Sequence, residues 1–238
     1  MAVAVTGILP RSVLADQVKD RLLEAILNGD YPPDSRIVET QVARELGTSQ
    51  APVREALRGL EALGVVEITP FRGARVRRPS RREIVEAYAV RSALETLAAR
   101  LAVPQLTDAD LDEFGLLFEA MRAAAGRDDG HAVADADARF HARIVELADN
   151  GTLEKLWRSL EPFSRTYLTL VVPGADPTWS AGLHGPILEA LERLDTDAVV
   201  AALEQHFDEV RDNLAARLPA DERDPIPTPE PIRIEPAR

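Results

Sequence analysis

The sequence predicts a mostly α-helical protein in which an N-terminal winged helix-turn-helix precedes an antiparallel bundle of six helices. Three observations favour this fold class. Within the first 79 residues, two short helical patterns joined by a tight turn precede a hairpin pattern. Longer amphipathic segments with short breaks then continue to about residue 217, as in a helix bundle. The charge balance also changes near residue 80. Residues 1–80 carry 11 Lys and Arg and 10 Asp and Glu, whereas the remainder carries 17 Lys and Arg and 30 Asp and Glu.

The first domain is predicted at residues 10–79. Apolar residues at helical spacing mark a first helix at 12–28. The stretch ETQVAREL predicts a short second helix that ends at Gly47, and TSQAPVREALRGLEALG predicts a third helix. Ser49 suits the N-cap of this third helix, and Pro52 is tolerated in its first turn. The segments VVEIT and GARVRR predict the two strands of a hairpin around PFRG.

The second domain is predicted at residues 80–218, and a flexible, proline-rich tail follows at 219–238. The tail is rich in proline and charge, so it cannot bury a core. The predicted helices of the second domain cover residues 81–103, 107–125, 130–149, 152–172, 180–194 and 196–217. Short connections between them make neighbouring helices antiparallel.

Composition excludes several classes of protein. The chain has no cysteine, which excludes a disulfide framework and a thiolate metal site. No apolar run approaches the ~20 residues that span a bilayer, and the first residues lack a signal-peptide pattern, so we expect a cytoplasmic protein without a membrane partner. The net charge of −12 argues against nucleic acid as a partner of the whole chain. A basic face on the near-neutral first third is still possible, and a local patch matters more than net charge.

The predicted helix-turn-helix offers side chains suited to DNA. The first turns of its second helix would approach base edges in the major groove. There, Gln50 can form two hydrogen bonds with adenine, and Ala51 can contact a thymine methyl group. Arg54, one turn further on, suits a phosphate or a guanine. The flanking arginines that could hold phosphates are Arg36, Arg72 and Arg75. The pattern alone also allows a small helical domain with solvated arginines.

The stretch YPPDSRIVETQVARELGTSQAPVREALRGLEALGVVEITPFRGARV resembles the DNA-binding domain of GntR-family transcription regulators. The resemblance covers roughly residues 12–78, and APVREALRGLEALG and RGARV are its most specific parts. It implies a homodimer that reads a palindromic operator, with the recognition helix in the major groove and the wing near the minor groove. The positions that correspond to family DNA contacts are Arg36, Thr40, Ser49, Gln50, Ala51, Arg54 and Gly73. The family usually has arginine at the position of Gln50, so a guanine contact there does not carry over.

An aspartate and three of the four histidines fall on apolar helix faces. Asp137 and His141 lie one turn apart within DADARFHARIVELADN. An unpaired buried carboxylate is energetically costly. An arginine, a histidine or a metal must therefore compensate the negative charge of Asp137. His184 and His206 lie beside the apolar stripes of two later helices, whereas His131 is predicted in a solvated loop. Convergence of the four side chains would suit Zn²⁺, Mn²⁺, Ni²⁺ or Fe²⁺, but spacing alone also allows an Asp–His hydrogen bond and two unrelated core histidines.

The bundle resembles the FCD ligand-binding domain of the FadR branch of the same family, over roughly residues 82–217. Six helices rather than seven resemble its VanR-type subgroup. The resemblance implies a divalent metal site formed by Asp137, His141, His184 and His206, and a small organic acid as effector. Arg91 and Arg165 could line the same cavity, because a guanidinium binds a carboxylate through two parallel hydrogen bonds. The alternative for Arg91 is a structural salt bridge with Glu95, one turn away.

Three functions fit these patterns to different degrees. The first is a transcription regulator, most often a repressor in such families, that responds to an organic acid. The second is a direct metal sensor, in which metal occupancy is the signal. The third is a helical metalloenzyme, which the absence of His-Glu-x-x-His and Glu-x-x-His motifs disfavours. We therefore expect a DNA-binding regulator without enzymatic activity.

Overall fold

In the computed structural model, described for residues 11–69, 73–170 and 176–217, three helices and three short strands form the N-terminal part. The helices are α1 (Arg11–Leu27), α2 (Glu39–Glu45) and α3 (Gln50–Ala62), and the strands are β1 (Arg36–Ile37), β2 (Val66–Thr69) and β3 (Gly73–Val76). The strands form one antiparallel sheet in the order β1-β3-β2. This arrangement confirms the predicted winged helix-turn-helix and adds the two-residue strand β1, which is too short to leave an alternation pattern.

Helix α3 owes its place to one apolar face. Val53, Leu57 and Leu60 recur at intervals of three and four residues and are buried. Each such side chain contributes about 1.5–3 kcal/mol when fully buried. Ser49 occupies the N-cap position, although its side chain makes no capping hydrogen bond. Gly47 has a φ of 63° in the turn before it, a left-handed conformation that glycine adopts without a steric penalty.

Helices form the entire described C-terminal part, together with a short 3-10 turn at Val103–Gln105. They are α4 (Arg81–Ala102), α5 (Asp108–Ala125), α6 (Gly130–Leu147), α7 (Gly151–Leu170), α8 (Pro177–Gly182), α9 (Gly185–Glu192) and α10 (Thr196–Arg217). None of the helices in the described ranges is long and apolar enough to cross a membrane. The predicted tail at 219–238 lies outside the described residues.

The structure divides one predicted helix. The segment 180–194 forms α8 and α9, with a break at Leu183 and His184. Pro186 explains the break, because it has no backbone N–H and its ring would clash with the carbonyl of Gly182 in a continuous helix. The predicted mostly helical class is confirmed, with the fifth of the six predicted helices in two pieces.

Helix α4 lies at the centre of the bundle and connects it to the winged part. It packs against α6, α7 and α10. Its N-terminus carries a capping box in which Ser80 Oγ accepts a hydrogen bond from the Glu83 N–H, and Glu83 Oε2 accepts one from the Ser80 N–H. The Glu83 carboxylate also forms an ion pair with Arg77, which follows β3. With the contact of α1 against α7, these bonds attach the winged part to the bundle.

The N-terminus of α5 carries a second capping box. Asp110 accepts hydrogen bonds from the N–H of Thr107 at 2.9 Å and from its hydroxyl at 2.6 Å. Arg143 of α6 lies 2.7 Å from the other oxygen of the same carboxylate. The hydrogen bonds from Thr107, and then the one from Arg143, lower the pKa of Asp110. The charged form of Asp110 therefore stabilises both the end of α5 and its packing against α6.

We predict that Asp110→Asn lowers the free energy of unfolding by about 1 kcal/mol at pH 7, because the neutral amide accepts these hydrogen bonds more weakly. Since the pKa of Asp110 is lowered in the folded state, this contribution is present above the ordinary aspartate pKa near ~4 and is lost as the pH falls through the folded-state value. Urea unfolding at pH 7 and at pH 3 measures the difference. The exposed residue Asp112 on the same helix provides the control Asp112→Asn. An equal loss for both variants, or a loss for Asp110→Asn that does not shrink at pH 3, would contradict this account.

Candidate metal centre and DNA-binding surface

Four polar side chains that the sequence singles out meet inside the bundle. Asp137 and His141 come from α6, His184 from the break between α8 and α9, and His206 from α10. All four are buried, and one potential ligand atom of each lies within 4.8 Å of the others. His184 Nε2 lies 3.1 Å from Asp137 Oδ1 and 3.2 Å from His141 Nε2. The break that Pro186 imposes thus places His184 opposite α6.

The outer nitrogens of two rings have partners that fix the direction of the inner ones. His141 Nδ1 lies 2.5 Å from Glu95 Oε2, and His184 Nδ1 lies 3.2 Å from the carbonyl oxygen of Ser180. Both partners only accept hydrogen bonds, so each Nδ1 donates, and each neutral ring then has a lone pair on Nε2. Those two lone pairs and Asp137 Oδ1 face one another at 3.1 to 3.9 Å. Such a group needs a cation between its members, either a proton or a metal ion.

The donor set fits a transition metal. Three imidazoles and one carboxylate are ligands that Zn²⁺, Mn²⁺, Ni²⁺ and Fe²⁺ accept. His206 Nδ1 is buried without a hydrogen-bond partner among the described residues, and a buried ring nitrogen of this kind needs a compensating interaction. Burial, and then the neighbouring imidazoles of His184 and His141, hold the pKa of His206 well below its ordinary value. A neutral imidazole is the form that ligates a metal.

Asp137 is held in its charged form. Burial alone would raise the pKa of this carboxyl group, but the close contacts with the rings of His184 and His141, and then the charge of Arg91, outweigh burial. The pKa of Asp137 therefore lies below its ordinary value. An ionised carboxylate beside neutral imidazoles is the protonation state in which all four groups can bind one divalent cation.

Glu95 of α4 supports the centre from outside. It is fully buried and accepts hydrogen bonds from Trp157 Nε1 at 2.6 Å and Arg91 Nε at 3.0 Å, in addition to His141. Burial alone would raise its pKa, but the interaction with His141, the positive charge of Arg91 and the hydrogen bonds from His141 and Trp157 outweigh burial and lower the pKa to about 2. A carboxylate that accepts from the outer nitrogen of a histidine orients the ring and raises its basicity as a ligand. The sequence had suggested Glu95 only as a partner of Arg91.

Arg91 forms the salt bridge that was the alternative interpretation of this residue. Its Nη2 lies 2.9 Å from Glu95 Oε1, and the side chain is only 4% exposed. Its Cζ lies 5.2 Å from the ring centroid of Phe207 and 5.8 Å from those of Tyr88 and Trp157. Burial alone would lower the pKa of Arg91, but Glu95 outweighs it and raises the pKa. Apart from this ion pair with Glu95, Nη2 has no hydrogen-bond partner among the described residues. Arg165 lies on α7, but its side chain is outside the described residues.

The predicted DNA contacts lie on one exposed surface of the winged part. The exposed residues are Arg36, Thr40, Ser49, Gln50, Ala51 and Arg54, and Gly73 is half-buried. Arg54 Nε lies 2.6 Å from Glu39 Oε2, and its Nη2 lies 2.8 Å from Gln50 Oε1. Arg54 thus connects the N-terminal ends of α2 and α3. Arg72 lies outside the described residues.

The sheet beside α3 carries two arginines at one register position. Arg36 of β1 is directly opposite Arg75 of β3, and both side chains are exposed. Like charges directly opposite each other on a sheet destabilise it slightly. Such a pair suits a surface that faces phosphates, where positive charge is neutralised by the partner.

Comparisons with known proteins agree with this architecture. Residues 14–76 match the family described as bacterial regulatory proteins, gntR family, and residues 86–209 match the FCD domain. A protein of Paenarthrobacter nicotinovorans named "Probable D-xylose utilization operon transcriptional repressor" is 37% identical over 89% of this chain and 90% of its own length. The HTH-type transcriptional repressor RspR of Escherichia coli strain K12 is 25% identical over 88% of this chain and 92% of its own length.

A solved structure of a GntR transcriptional regulator from Rhodococcus sp. RHA1 shares the fold. It superposes with a TM-score of 0.77 at 24% identity and covers 85% of this chain and 97% of its own. The matched gntR family and the named relatives are transcription regulators rather than enzymes. The chain therefore belongs to the GntR family of bacterial regulatory proteins and carries a C-terminal FCD domain.

Proposed function

We propose that this protein is a transcriptional repressor whose operator affinity is controlled by a small organic acid, bound at a divalent metal in the FCD domain. Residues 10–79 would bind DNA, and residues 80–218 would hold Asp137, His141, His184 and His206 around the metal. The observation that carries the proposal is the convergence of these four buried side chains, with ligand atoms within 4.8 Å of one another. The names of the relatives from P. nicotinovorans and E. coli support repression.

The charges inside the bundle favour an anionic effector. Glu95 and Asp137 are ionised and Arg91 is charged, so this buried group has a net charge of about −1 while its histidines are neutral. A divalent ion changes the balance to about +1. A carboxylate that binds near the metal would then neutralise the site, and Arg91, whose Nη2 has no acceptor besides Glu95 among the described residues, could hold one of its oxygens.

Helix α4 provides a direct route from this centre to the winged domain. Glu95 contacts the metal ligand His141, and Glu83 on the same helix forms the capping box and the ion pair with Arg77. These two glutamates are twelve residues apart, or about 18 Å along a helix. If effector binding moves His141, its contact with Glu95 would shift α4. The shift of α4 would in turn move Arg77, which follows β3 and is paired with Glu83. The change in operator affinity equals the effector's differential affinity for the two arrangements, commonly ~1–3 kcal/mol.

We predict that the chain, purified without chelators or a polyhistidine tag, binds about one divalent metal per chain, and that the double variant His184→Ala with His206→Ala binds none. Mass-spectrometric metal analysis after dialysis measures both. The control is His131→Ala, because His131 is exposed and is the one histidine outside the centre. Stoichiometric metal in the double variant would place the site elsewhere, and a wild-type chain that never retains metal would overturn the proposal.

Wild type and the double variant also test whether an effector controls operator binding. An operator fragment selected from a randomised duplex library would be titrated with metal-free protein, metal-loaded protein, and metal-loaded protein with each member of a panel of sugar acids. We expect the basal affinity of the double variant to match that of metal-free wild type, and a sugar acid to weaken binding only of the metal-loaded wild type. A change caused by the metal alone, with no response to any acid, would identify a direct metal sensor instead.

We predict that Glu95→Gln lowers metal affinity by about 10–100-fold, because the amide is a weaker acceptor for the outer nitrogen of His141. Competition with a chromophoric chelator measures the affinity. The tryptophan emission should also change, since Trp157 donates to this carboxylate. The exposed Glu119 provides the control Glu119→Gln. An unchanged far-UV spectrum would show that the Glu95→Gln variant is folded. If this folded variant binds metal as tightly as wild type, Glu95 does not support the metal site.

We predict that Arg54→Ala weakens binding of the selected operator by about 1–3 kcal/mol, as expected for a specific contact in the first turns of a recognition helix. Gln50→Arg should change the selected sequence more than the overall affinity, because arginine pairs with guanine and glutamine with adenine. Arg122→Ala, which removes an exposed charge on α5, is the control. Identical selected sequences for Gln50→Arg and wild type would show that Gln50 does not face the bases.

A further inference from the structure

Three side chains at the start of α2 and α3 are bonded to one another on the DNA-binding surface. Glu39 is the first residue of α2, Gln50 is the first residue of α3, and Arg54 follows Gln50 by one turn. Arg54 donates through Nε to Glu39 and through Nη2 to Gln50 Oε1. Its Nη1 has no partner among the described residues. We name Glu39, Arg54 and Gln50 together the arginine clamp.

A carboxylate is an unexpected group on a surface that faces DNA, because phosphates repel it. Negative charge in the first turn of α2 is favourable for the helix, but this reason does not require a contact with an arginine of α3. The side chains of Arg54 and Glu39 are 55% and 31% exposed, and an ion pair in that much solvent adds little to the stability of the fold. The contact is therefore best explained by its effect on the position of Arg54.

The hydrogen bond from Arg54 determines which way the amide of Gln50 faces. A guanidinium only donates hydrogen bonds, so the amide atom that faces Nη2 must be the carbonyl oxygen Oε1. The amide nitrogen Nε2 then points away from Arg54. Rotation of the amide by half a turn would place its N–H groups against the N–H groups of the guanidinium. A charge-assisted hydrogen bond therefore holds the amide in one of its two orientations.

The two orientations of a glutamine amide suit different purines. When Oε1 and Nε2 both face the base edge, the amide accepts from N6 and donates to N7 of adenine. When the amide nitrogen alone faces the edge, its two N–H groups can donate to N7 and O6 of guanine. Oε1 has two lone pairs, so it can accept from Arg54 and from adenine N6 together. Against guanine, the same Oε1 would meet the acceptor O6.

We propose that Glu39 and Arg54 determine base specificity, because they hold the Gln50 amide in the orientation that reads adenine and rejects guanine. Glu39 is a positioning residue in this arrangement. It fixes the guanidinium of Arg54, which fixes Oε1 of Gln50, while Nη1 of Arg54 stays available for a phosphate. The inference deepens the proposed function, since it rests on Gln50 lying at base edges in the major groove.

Binding-site selection with full-length variants tests the arginine clamp. The operator position that loses its preference in Gln50→Ala is the one that Gln50 reads, and wild type should favour adenine over guanine there by roughly 5–150-fold, as a bidentate contact commonly does. Glu39→Ala should bring the two bases close to equal affinity, yet bind DNA of arbitrary sequence at least as tightly as wild type, because a charge that repels phosphates is gone. The control Glu45→Ala removes the same charge from the other end of α2 and should keep the preference for adenine.

A second variant separates the fork of the arginine from its charge. Arg54→Lys keeps the positive charge for a phosphate but lacks the planar fork that bonds Glu39 and Gln50 together, so it should also lose the preference for adenine. If Glu39→Ala and Arg54→Lys both keep the wild-type ratio of adenine to guanine, the arginine clamp does not set specificity. A ratio that falls only together with the melting temperature would give Glu39 a structural role instead. If Gln50→Ala selects the same sequence as wild type, Gln50 does not face the bases, and its proposed place in the major groove is wrong as well.

Discussion

The packing of the bundle depends on the buried carboxylate of Glu95. This charge has no access to water, so hydrogen bonds from neighbouring side chains must stabilise it. Glu95 receives hydrogen bonds from Arg91 on its own helix, His141 on α6 and Trp157 on α7, so one charge determines the relative positions of three helices. Removal of one member of a buried charged pair commonly costs about 3–5 kcal/mol, because the remaining charge has no partner. A ligand that acts on this group can therefore have a large effect. A small movement of His141 would alter its hydrogen bond to Glu95 and thus the stabilisation of the buried charge.

Helix α4 connects the proposed metal centre with the DNA-binding domain. Helix α4 carries Glu95 near its middle and the capping box of Ser80 and Glu83 at its N-terminus, where Arg77 joins it to β3. Motion of α4 would therefore change the attachment of the winged domain to the bundle. Coupling between distant sites requires an element with two discrete arrangements, and α4 is the element to which we assign that role.

Local patterns in the sequence predicted most of the fold. The helices, the hairpin and the apolar faces follow from spacing, capping residues and glycine, and the residues Asp137 and His141 are neighbours on any helix. The convergence of His184 and His206 on them joins parts of the chain that are far apart, so periodicity alone could not show it and the family resemblance was needed to suggest it. The break at His184 follows from Pro186, a signal that was present in the sequence but was outweighed by the apolar pattern around it.

Other parts of the site had no local signal. Glu95 and Trp157 are 62 residues apart, and only the packing of α4 against α7 brings them together. The ion pair of Arg91 with Glu95 was one of the two alternatives for Arg91. The spacing of the two residues within a helix is enough to predict the ion pair, but it does not predict that the pair is buried. Strand β1 consists of two residues and is defined by its partner β3 rather than by its own pattern.

We propose above all that three imidazoles and one carboxylate share a single metal ion. X-ray absorption spectroscopy at the metal edge of the metal-loaded, untagged chain reads the ligand shell directly. We expect multiple-scattering features of three imidazoles and an additional light-atom shell that includes the Asp137 oxygen. A shell of oxygen ligands without imidazole scattering would contradict it, because the metal would then lie away from His141, His184 and His206.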